Sequence, residues 1–306
     1  MISSGRVRLG SRGSALALAQ AESVADALKR AHPSLAVSIE IVRTTGDLSP
    51  ETPFASMGDQ GVFVKELEHA VLAGKIDAAV HSLKDLPARL APGLDIACIP
   101  QREDPHDALV SASGADLHSL KRGAVLGTSS LRRKAQMLAA RPDLDIRECR
   151  GNIDTRLRKL DSGEYDAIVL AAAGLIRLGL SGRITQRLSS SLCMPAAGQG
   201  ALAVEALAAD NELKDLVAPL NHGESASAVL GERAFLARLG GGCSVPAGVL
   251  GLVAGSHLTL SAVVVSPDGS RILRRTAEGA LRNHTRIGLE LASGMARDGA
   301  LGILKG

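Results

Sequence analysis

The chain has 306 residues, a formal net charge of +3 at pH 7 and a hydrophobic fraction of 45%. Its length predicts two or three domains, and its composition is typical of a globular protein. A charge this small argues against a general polyanion binder. One Tyr, three Phe and no Trp leave too few rings for the stacking platforms of single-stranded nucleic-acid binders. We therefore expect no nucleic-acid partner.

The cysteines match neither the spacing of a zinc site nor a disulfide framework. They are Cys98, Cys149, Cys193 and Cys243. We expect all of them to be reduced, and the apolar surroundings of the first three predict core positions. No apolar segment follows Met1, which predicts a cytoplasmic protein without a signal peptide. The nearly uncharged stretch Ser244–Pro267 is interrupted by Gly and Pro, so it predicts two short strands and no membrane span.

The first part of the chain alternates strands with helices. Periodicity predicts strands at Val7–Gly10, Ser38–Val42, Ile76–His81 and Leu94–Ile99, and helices at Ala15–Arg30 and Val62–Ala73. Thr44–Gly61 lacks periodicity, which is typical of a functional or disordered loop. We expect Glu103–Asp107 to cross into a second lobe.

The second lobe repeats this alternation. We predict strands at Ala124–Gly127, Asp145–Cys149 and Ala167–Ala171, and helices from Leu131, over Ile153–Leu160 and up to Arg177. Leu9-Gly10-Ser11-Arg12 resembles Leu126-Gly127-Thr128-Ser129 with Arg132, which suggests two related lobes. Ala201–Glu205 is predicted to return as a strand to the first lobe.

The last part of the chain changes character. Leu213–Leu220 and Ala226–Leu239 are predicted helices. Strands are predicted at Gly248–Val253, Leu258–Val265 and Arg271–Thr276, followed by a helix at Thr285–Arg297. Strands that alternate with helices indicate an α/β fold with mostly parallel pairing, and the final segment indicates a small separate α+β domain.

The strand Ala124–Gly127 leads into a hydroxyl-rich turn and a basic helix start. Thr128, Ser129 and Ser130 supply hydroxyl groups for the helix N-cap, and the first turn carries Arg132 and Arg133. The free N–H groups of a helix start favour an anion, whereas cations there are unusual because of the helix dipole. A solvated basic face is the alternative, but the combination favours a cradle for carboxylate or phosphate.

Other polar residues also follow predicted strand ends. They are Arg12, Lys84, Asp85 and Arg150. Ligands of open α/β sheets bind beyond the carboxyl ends of the strands, so we expect these residues to meet in one cleft between the two lobes.

Three single residues allow more than one interpretation. Asp85 is either a turn former or a carboxylate that stabilises a cation or moves a proton. Cys243 follows three glycines, which is compatible with a helix C-cap or with an accessible thiol that carries a covalent group. His81 has no partner at metal-ligand spacing, so we expect a structural histidine and no metal site.

These residues belong to motifs that occur in the same order as in a known family. The motifs include Leu9-Gly10-Ser11-Arg12 with Ser14, Phe63–Glu68, His81–Pro87, Gly127–Arg133, Arg150-Gly151-Asn152 with Thr155-Arg156-Leu157, Ala173-Gly174-Leu175 with Arg177-Leu178-Gly179, Pro195 with Gly198-Gln199-Gly200, and Gly241-Gly242-Cys243 with Val245-Pro246. In this order they make the chain resemble the porphobilinogen deaminases, also called hydroxymethylbilane synthases, over nearly its whole length.

The resemblance implies two lobes like those of periplasmic binding proteins, with mostly parallel mixed sheets, and a small C-terminal α+β domain. Its expected domains are residues 1–99 with 200–218, residues 100–199, and residues 219–306. It also implies a dipyrromethane cofactor joined as a thioether to Cys243. The family condenses four porphobilinogen molecules head to tail with release of ammonia, and then releases hydroxymethylbilane for tetrapyrrole synthesis.

Motif position further implies a role for each candidate residue. Asp85 is the catalytic carboxylate, which can bind pyrrole N–H groups and stabilise an azafulvenium-like cation. The cofactor's carboxylates would bind Lys84, Thr128, Ser130, Arg132 and Arg133. Incoming porphobilinogen and the growing chain would bind Arg12, Ser14, Arg150, Arg156, Arg177 and Gln199. The family expectation is a monomer without a metal or a membrane partner.

One feature departs from the family. The loop Ser56–Gly61 contains no lysine, although relatives often carry lysines there. A contribution of this loop to carboxylate binding is therefore not expected. Two rival hypotheses remain: a non-catalytic carboxylate-binding protein of the same two-lobe fold, and a transferase with a catalytic cysteine thiolate.

Overall fold

The computed structural model describes residues 5–43, 64–87, 89–240 and 245–304. The chain divides into unit 1, residues 1–103 with 201–226, and unit 2, residues 104–200 with 227–306. The expected division into three domains stays a prediction. Cys243 and the loop Thr44–Gly61 lie outside the described residues. None of the described helices is long and apolar enough to cross a membrane.

The elements follow one another in the expected alternation. The strands are β1 Arg6–Ser11, β2 Ala36–Ile41, β3 Ala78–Ser82, β4 Leu94–Cys98, β5 Asp107–Ser111, β6 Val125–Gly127, β7 Asp145–Arg147, β8 Ala167–Ala171, β9 Gln186–Leu188, β10 Leu202–Leu207, β11 Ala247–Ala254, β12 His257–Val265 and β13 Ile272–Ala280. The helices are α1 Ala15–Ala31, α2 Lys65–Leu72, α3 Leu131–Ala140, α4 Ile153–Asp161, α5 Ala172–Arg177, α6 Asn211–Val217, α7 Gly223–Leu239, α8 His284–Arg297 and α9 Ala300–Leu304.

Unit 1 is built on a mixed sheet with the strand order β2-β1-β3-β10-β4. Strands β1, β2 and β3 are parallel, and β10 runs antiparallel to both β3 and β4. Four of these five strands therefore share one direction. The apolar stripe of α1, with Val24 and Leu28, packs with Val7 and Leu9 of β1 into the core. This packing fixes the loop between β1 and α1 at the carboxyl edge of the sheet.

The first sheet of unit 2 has the same strand order, β7-β6-β8-β5-β9. Strands β6, β7 and β8 are parallel, and β5 runs antiparallel to β8 and β9. In each sheet the reversed strand, β10 or β5, comes directly after the chain has crossed from the other unit. The equal order supports the expectation of two related lobes.

The C-terminal part of unit 2 is a small antiparallel sheet, β11-β12-β13, covered by helices. Phe235 of α7 and Leu291 of α8 are fully buried against Leu258 and Leu260 of β12. Pro195 holds this sheet to the rest of the unit, because its carbonyl accepts a hydrogen bond from Val249 N at 2.9 Å. Two α/β sheets with mixed pairing and a small C-terminal α+β part were predicted, and this fold class is confirmed.

Two short strands and one helix were not predicted. The sequence predicted only a crossing at Glu103–Asp107, but β5 begins at Asp107, and neither β9 nor the terminal helix α9 was recognised. Strand β9 has only three residues, Gln186–Leu188, which is too short for a period-2 pattern to show.

Candidate active site

A small pocket at the carboxyl edge of the unit 1 sheet collects the predicted residues of this lobe. Its polar lining consists of Arg12, Ser14, Gln20, His81, Ser82 and Asp85. Arg12 follows β1, and Ser14 is the N-cap of α1, where its hydroxyl accepts a hydrogen bond from Ala17 N at 3.3 Å. Arg12 and Ser14 are both half-buried, so their side chains reach the pocket without being sealed in the core.

Asp85 ends a short 3₁₀ turn, Leu83–Asp85, directly after β3. Leu83 anchors the turn in the core: its side chain is fully buried, and its N–H donates to the carbonyl of Ala201 at 3.0 Å. Asp85 itself is exposed and lines the pocket, and Lys84 beside it is half-buried. The turn therefore places the Asp85 side chain on the pocket, where it is accessible to a ligand.

Two hydrogen-bonded pairs include residues that line this pocket. Gln20 and Ser82 exchange two hydrogen bonds, at 2.9 and 3.2 Å. His81 Nε2 lies 3.0 Å from Glu205 Oε2, and both side chains are buried. His81 thus has the structural partner that was expected. Burial raises the pKa of Glu68, and the nearby charge of Glu205 adds to this shift.

In unit 2 the hydroxyl-rich turn caps α3 as predicted. Ser130 is the N-cap, and its hydroxyl accepts a hydrogen bond from Arg133 N. Thr128 Oγ1 accepts from Ser130 N at 3.2 Å, and Ser129 donates to the carbonyl of Cys149 at 2.8 Å. The three hydroxyl groups therefore each make one hydrogen bond to the backbone, and these bonds fix where the helix begins.

Arg132 and Arg133 point into the protein and both bind Asp107. Arg132 Nη1 lies 2.6 Å from Asp107 Oδ2, and Arg133 Nε and Nη2 lie 2.9 and 2.7 Å from Oδ1. Asp107 is fully buried, and only 5% and 8% of the two arginine side chains are exposed. Burial alone would raise the pKa of Asp107, but the two guanidinium charges outweigh it and hold this pKa well below its usual range. The interpretation of these cations as a solvated face is therefore wrong.

The other predicted residues of unit 2 make contacts of their own. Arg156 Nε donates to the carbonyl of Gly151 at 2.7 Å, and burial followed by the charge of Arg133 lowers the pKa of Arg156. Arg150 pairs with the exposed Glu148 at 2.6 Å. Arg177 and Gln199 donate to backbone carbonyls, of Gly200 and Pro105 respectively, each at 2.7 Å.

The charge of this region favours an anion. Arg132, Arg133 and Arg156 are buried or half-buried, and among the carboxylates that the structure describes Asp107 binds the first two. One carboxylate cannot neutralise several guanidinium groups, and guanidinium is the donor that best matches carboxylates. The residues present therefore fit a ligand rich in carboxylate groups. No cluster of three or more metal-ligating side chains occurs within the described ranges.

Two buried carboxylates, Asp107 in unit 2 and Glu205 in unit 1, were not predicted from the sequence. Asp107 begins β5, and Glu205 lies in the middle of β10. Each is an acidic residue next to apolar strand residues, which is a signal of a buried, paired carboxylate. The partners could not be identified, because they lie 25 and 124 residues away.

Comparison with known proteins identifies the family. Residues 7–215 match "Porphobilinogen deaminase, dipyromethane cofactor binding domain", and residues 226–297 match "Porphobilinogen deaminase, C-terminal domain". Two relatives named porphobilinogen deaminase, from Roseiflexus castenholzii and from Roseiflexus sp. strain RS-1, are each 48% identical over 97% of this chain and 98% of their own length.

Solved structures of low identity were also found. The VFT2 domain of BvgS from Bordetella pertussis is 16% identical with a TM-score of 0.41, covering 72% of this chain and 87% of that one. The methionine binding protein MetQ is 13% identical with a TM-score of 0.44, covering 70% and 89% respectively.

The family matches span nearly the whole chain, so the predicted family, enzyme class and dipyrromethane cofactor are confirmed. The chain belongs to the porphobilinogen deaminase family, the transferases that make hydroxymethylbilane for tetrapyrrole biosynthesis.

Proposed function

We propose that Asp85 is the catalytic carboxylate with which this chain joins four porphobilinogen molecules head to tail. One observation carries the proposal: an exposed carboxylate, carried on a short 3₁₀ turn, lies in one pocket with Arg12 and Ser14. Such a pocket can bind a small molecule that has carboxylate groups at one end and a reacting pyrrole at the other.

Asp85 is suited to stabilise positive charge. The pyrrole N–H of porphobilinogen can donate to its carboxylate, and the ring becomes cationic as ammonia departs. A preorganised opposite charge lowers the energy of such a transition state. The 3₁₀ turn brings Asp85 to the lining of the pocket, so its negative charge is available there.

Arg12 and Ser14 are proposed to hold the acetate and propionate of the incoming substrate. A guanidinium group can bind a carboxylate through two parallel hydrogen bonds, and a hydroxyl group can add a third. On the same grounds we assign Arg150, Arg156 and Arg177 to incoming substrate and to the growing chain. Gln199, whose amide nitrogen donates to Pro105 and Asp107, is proposed to line the same site.

The cofactor is proposed to be attached to Cys243, and Lys84, Thr128, Ser130, Arg132 and Arg133 are proposed to hold its carboxylates. When bound, dipyrromethane supplies the pyrrole carbon to which the first substrate is joined. The excess of buried guanidinium groups in unit 2 supports this assignment, since it requires an anion.

We further propose a cytoplasmic monomer whose partner is small-molecule porphobilinogen, without nucleic-acid or membrane partners. The composition supports the absence of a nucleic-acid partner: with a net charge of +3, one Tyr and three Phe, the chain offers neither a polyanion-binding surface nor stacking platforms. The rest of this proposal is what membership of the family implies.

The substitution Asp85→Asn tests the catalytic assignment. The amide keeps the shape but loses the charge, so we expect kcat to fall by about 10² to 10³-fold in steady-state assays with porphobilinogen. KM should change less, because Arg12 and Ser14 remain. The matched control is Asp95→Asn, which removes an exposed aspartate of the same unit that pairs with Lys214 at 3.0 Å, and it should leave kcat unchanged. An Asp85→Asn enzyme within about twofold of wild type would exclude the assigned role.

A further inference from the structure

Asp107 is a buried carboxylate whose contacts are all with other residues of the protein. It is the first residue of β5 and is fully buried. Its Oδ2 accepts from Arg132 Nη1 at 2.6 Å and from Cys193 Sγ at 3.2 Å. Its Oδ1 accepts from Arg133 and, at 3.0 Å, from Gln199 Nε2. Both oxygens are therefore engaged, so this carboxylate cannot touch a ligand itself.

These contacts set the orientation of two guanidinium groups. Arg132 Nη1 also donates to the carbonyl of Met194 at 2.6 Å, and Arg133 Nη1 donates to the carbonyl of Val169 at 3.1 Å. A guanidinium group is planar, so contacts along one edge fix the direction of its other N–H groups. For Arg132, these contacts leave Nε and Nη2 for a further acceptor.

Asp107 also fixes the segment that leads to the C-terminal sheet. This segment is residues 193–199. Its first residue, Cys193, and its last, Gln199, each donate a hydrogen bond to the Asp107 carboxylate. Between them, Gln136 of α3 holds both the N–H and the carbonyl of Met194, at 2.7 and 3.1 Å. The arginine pair and segment 193–199 thus form one connected network.

The same segment is bound to the C-terminal sheet by a second buried carboxylate. Glu232 of α7 is fully buried and accepts hydrogen bonds from Gly198 N and Gly251 N, each at 2.7 Å. Gly251 belongs to β11, close in sequence to the region that includes Cys243. The network therefore extends from the arginines of α3 to β11 of the C-terminal sheet.

We propose that Asp107 is a positioning residue for the dipyrromethane cofactor: it holds Arg132 and Arg133 against segment 193–199, so that their remaining donors face the cofactor's carboxylates. This inference rests on the proposed cofactor-binding role of the two arginines. Since one carboxylate faces two guanidinium groups, Asp107 orients them and still leaves net positive charge for the cofactor.

The test measures the rate at which apo-protein acquires the cofactor, so it does not depend on catalytic turnover. Apo-protein is produced in cells that cannot make porphobilinogen and is then mixed with porphobilinogen. The gain of one dipyrromethane is followed over time by the intact mass of the denatured chain. We expect Asp107→Asn to slow this gain by at least about tenfold, because small misplacements of binding groups have effects of this size. The matched control Asp104→Asn removes an aspartate that pairs with His106 and Arg187, and it should load at the wild-type rate.

A double-mutant cycle separates positioning from general stability. If Asp107 acts through the arginines, Asp107→Asn should slow loading by less than about twofold in an R132A/R133A background. A full tenfold effect in that background would overturn the proposal, as would wild-type loading of Asp107→Asn alone.

A variant that keeps both ion pairs provides a second test. Cys193→Ala removes one of the donors to Asp107 and leaves Arg132 and Arg133 paired with it, so loading should stay close to that of wild type. Loading slowed as much as in Asp107→Asn would contradict the proposal, because the ion pairs would then not set the rate. If the wild-type chain itself gains no mass, the proposed function fails together with this inference, whereas normal loading of wild type and of Asp107→Asn overturns this inference alone.

Discussion

The cysteines show how burial determines the chemistry of single residues. Cys98, Cys149 and Cys193 are all buried, and none of these three is in a disulfide. Burial raises the pKa of each thiol, to about 12 for Cys98. Because only the thiolate is a nucleophile, a thiol with a raised pKa stays inert at neutral pH. These residues are therefore structural, as predicted, and the reactive position is assigned to Cys243.

Alkylation tests this difference at the residue scale. At pH 8, iodoacetamide should label none of Cys98, Cys149 and Cys193 in the native cofactor-loaded enzyme, since all three thiols remain protonated and enclosed. After unfolding, the chain should take up three labels, because its fourth thiol is already in a thioether. Mass spectrometry counts the labels.

The control for this count is the apo-protein, which should take up four labels after unfolding. Four labels on the unfolded, cofactor-loaded chain would contradict attachment through a cysteine. Labelling of the native chain at Cys193 would contradict the enclosed network around Asp107.

At the scale of elements, a glycine at the end of β1 and of β6 explains the repeated Leu-Gly pattern. Gly10 pairs with Ala79 of β3, and Gly127 pairs with Ile168 of β8, so the two glycines occupy equivalent places in the two sheets. A Cβ atom on Gly10 would overlap Ile76, and one on Gly127 would lie 2.8 Å from Tyr165 Cδ1. Only glycine leaves room for these side chains where the binding turns begin.

The substitution Gly127→Ala should therefore destabilise the protein by about 1–3 kcal/mol, the usual cost of overpacking a core. Tyr165, Ile168 and the Cβ of Cys149, at 2.8, 2.9 and 3.0 Å from the added methyl group, have little room to move. Urea unfolding measures the change. The control Gly182→Ala, at a position with nothing within 4 Å, should be close to neutral. Equal stability of the two variants would refute the packing argument.

Most elements could be predicted from the sequence because their patterns are local. The stripe of α1 and the alternation in β11–β13 are examples. Strand β8 matches the predicted strand residue for residue, and α5 ends at Arg177 as predicted. Strands β5 and β9 were missed because pairing with neighbours far along the chain defines them. The same holds for the site: Arg132 and Arg133 were recognised from the motif, but Asp107 depends on a contact across 25 residues.

At the scale of the whole molecule, the chain forms two units, and the five-stranded sheets of both have the same strand order. The chain crosses between the units near residues 103, 200 and 226. Each unit has its own hydrophobic core and its own set of predicted site residues. Unit 2 also contains the C-terminal sheet, which is held by Glu232 and by the close approach of Gly248 to Met194 and Pro195. This arrangement connects the arginine pair and the C-terminal sheet within one unit.

The central claim, a covalent dipyrromethane on Cys243, is tested most directly by the intact mass of the denatured, purified protein. The account predicts the mass of the sequence plus one dipyrromethane unit for the wild type, and the unmodified mass for Cys243→Ser. A wild-type chain that keeps the unmodified mass after incubation with porphobilinogen would contradict the account and favour a non-catalytic carboxylate-binding protein.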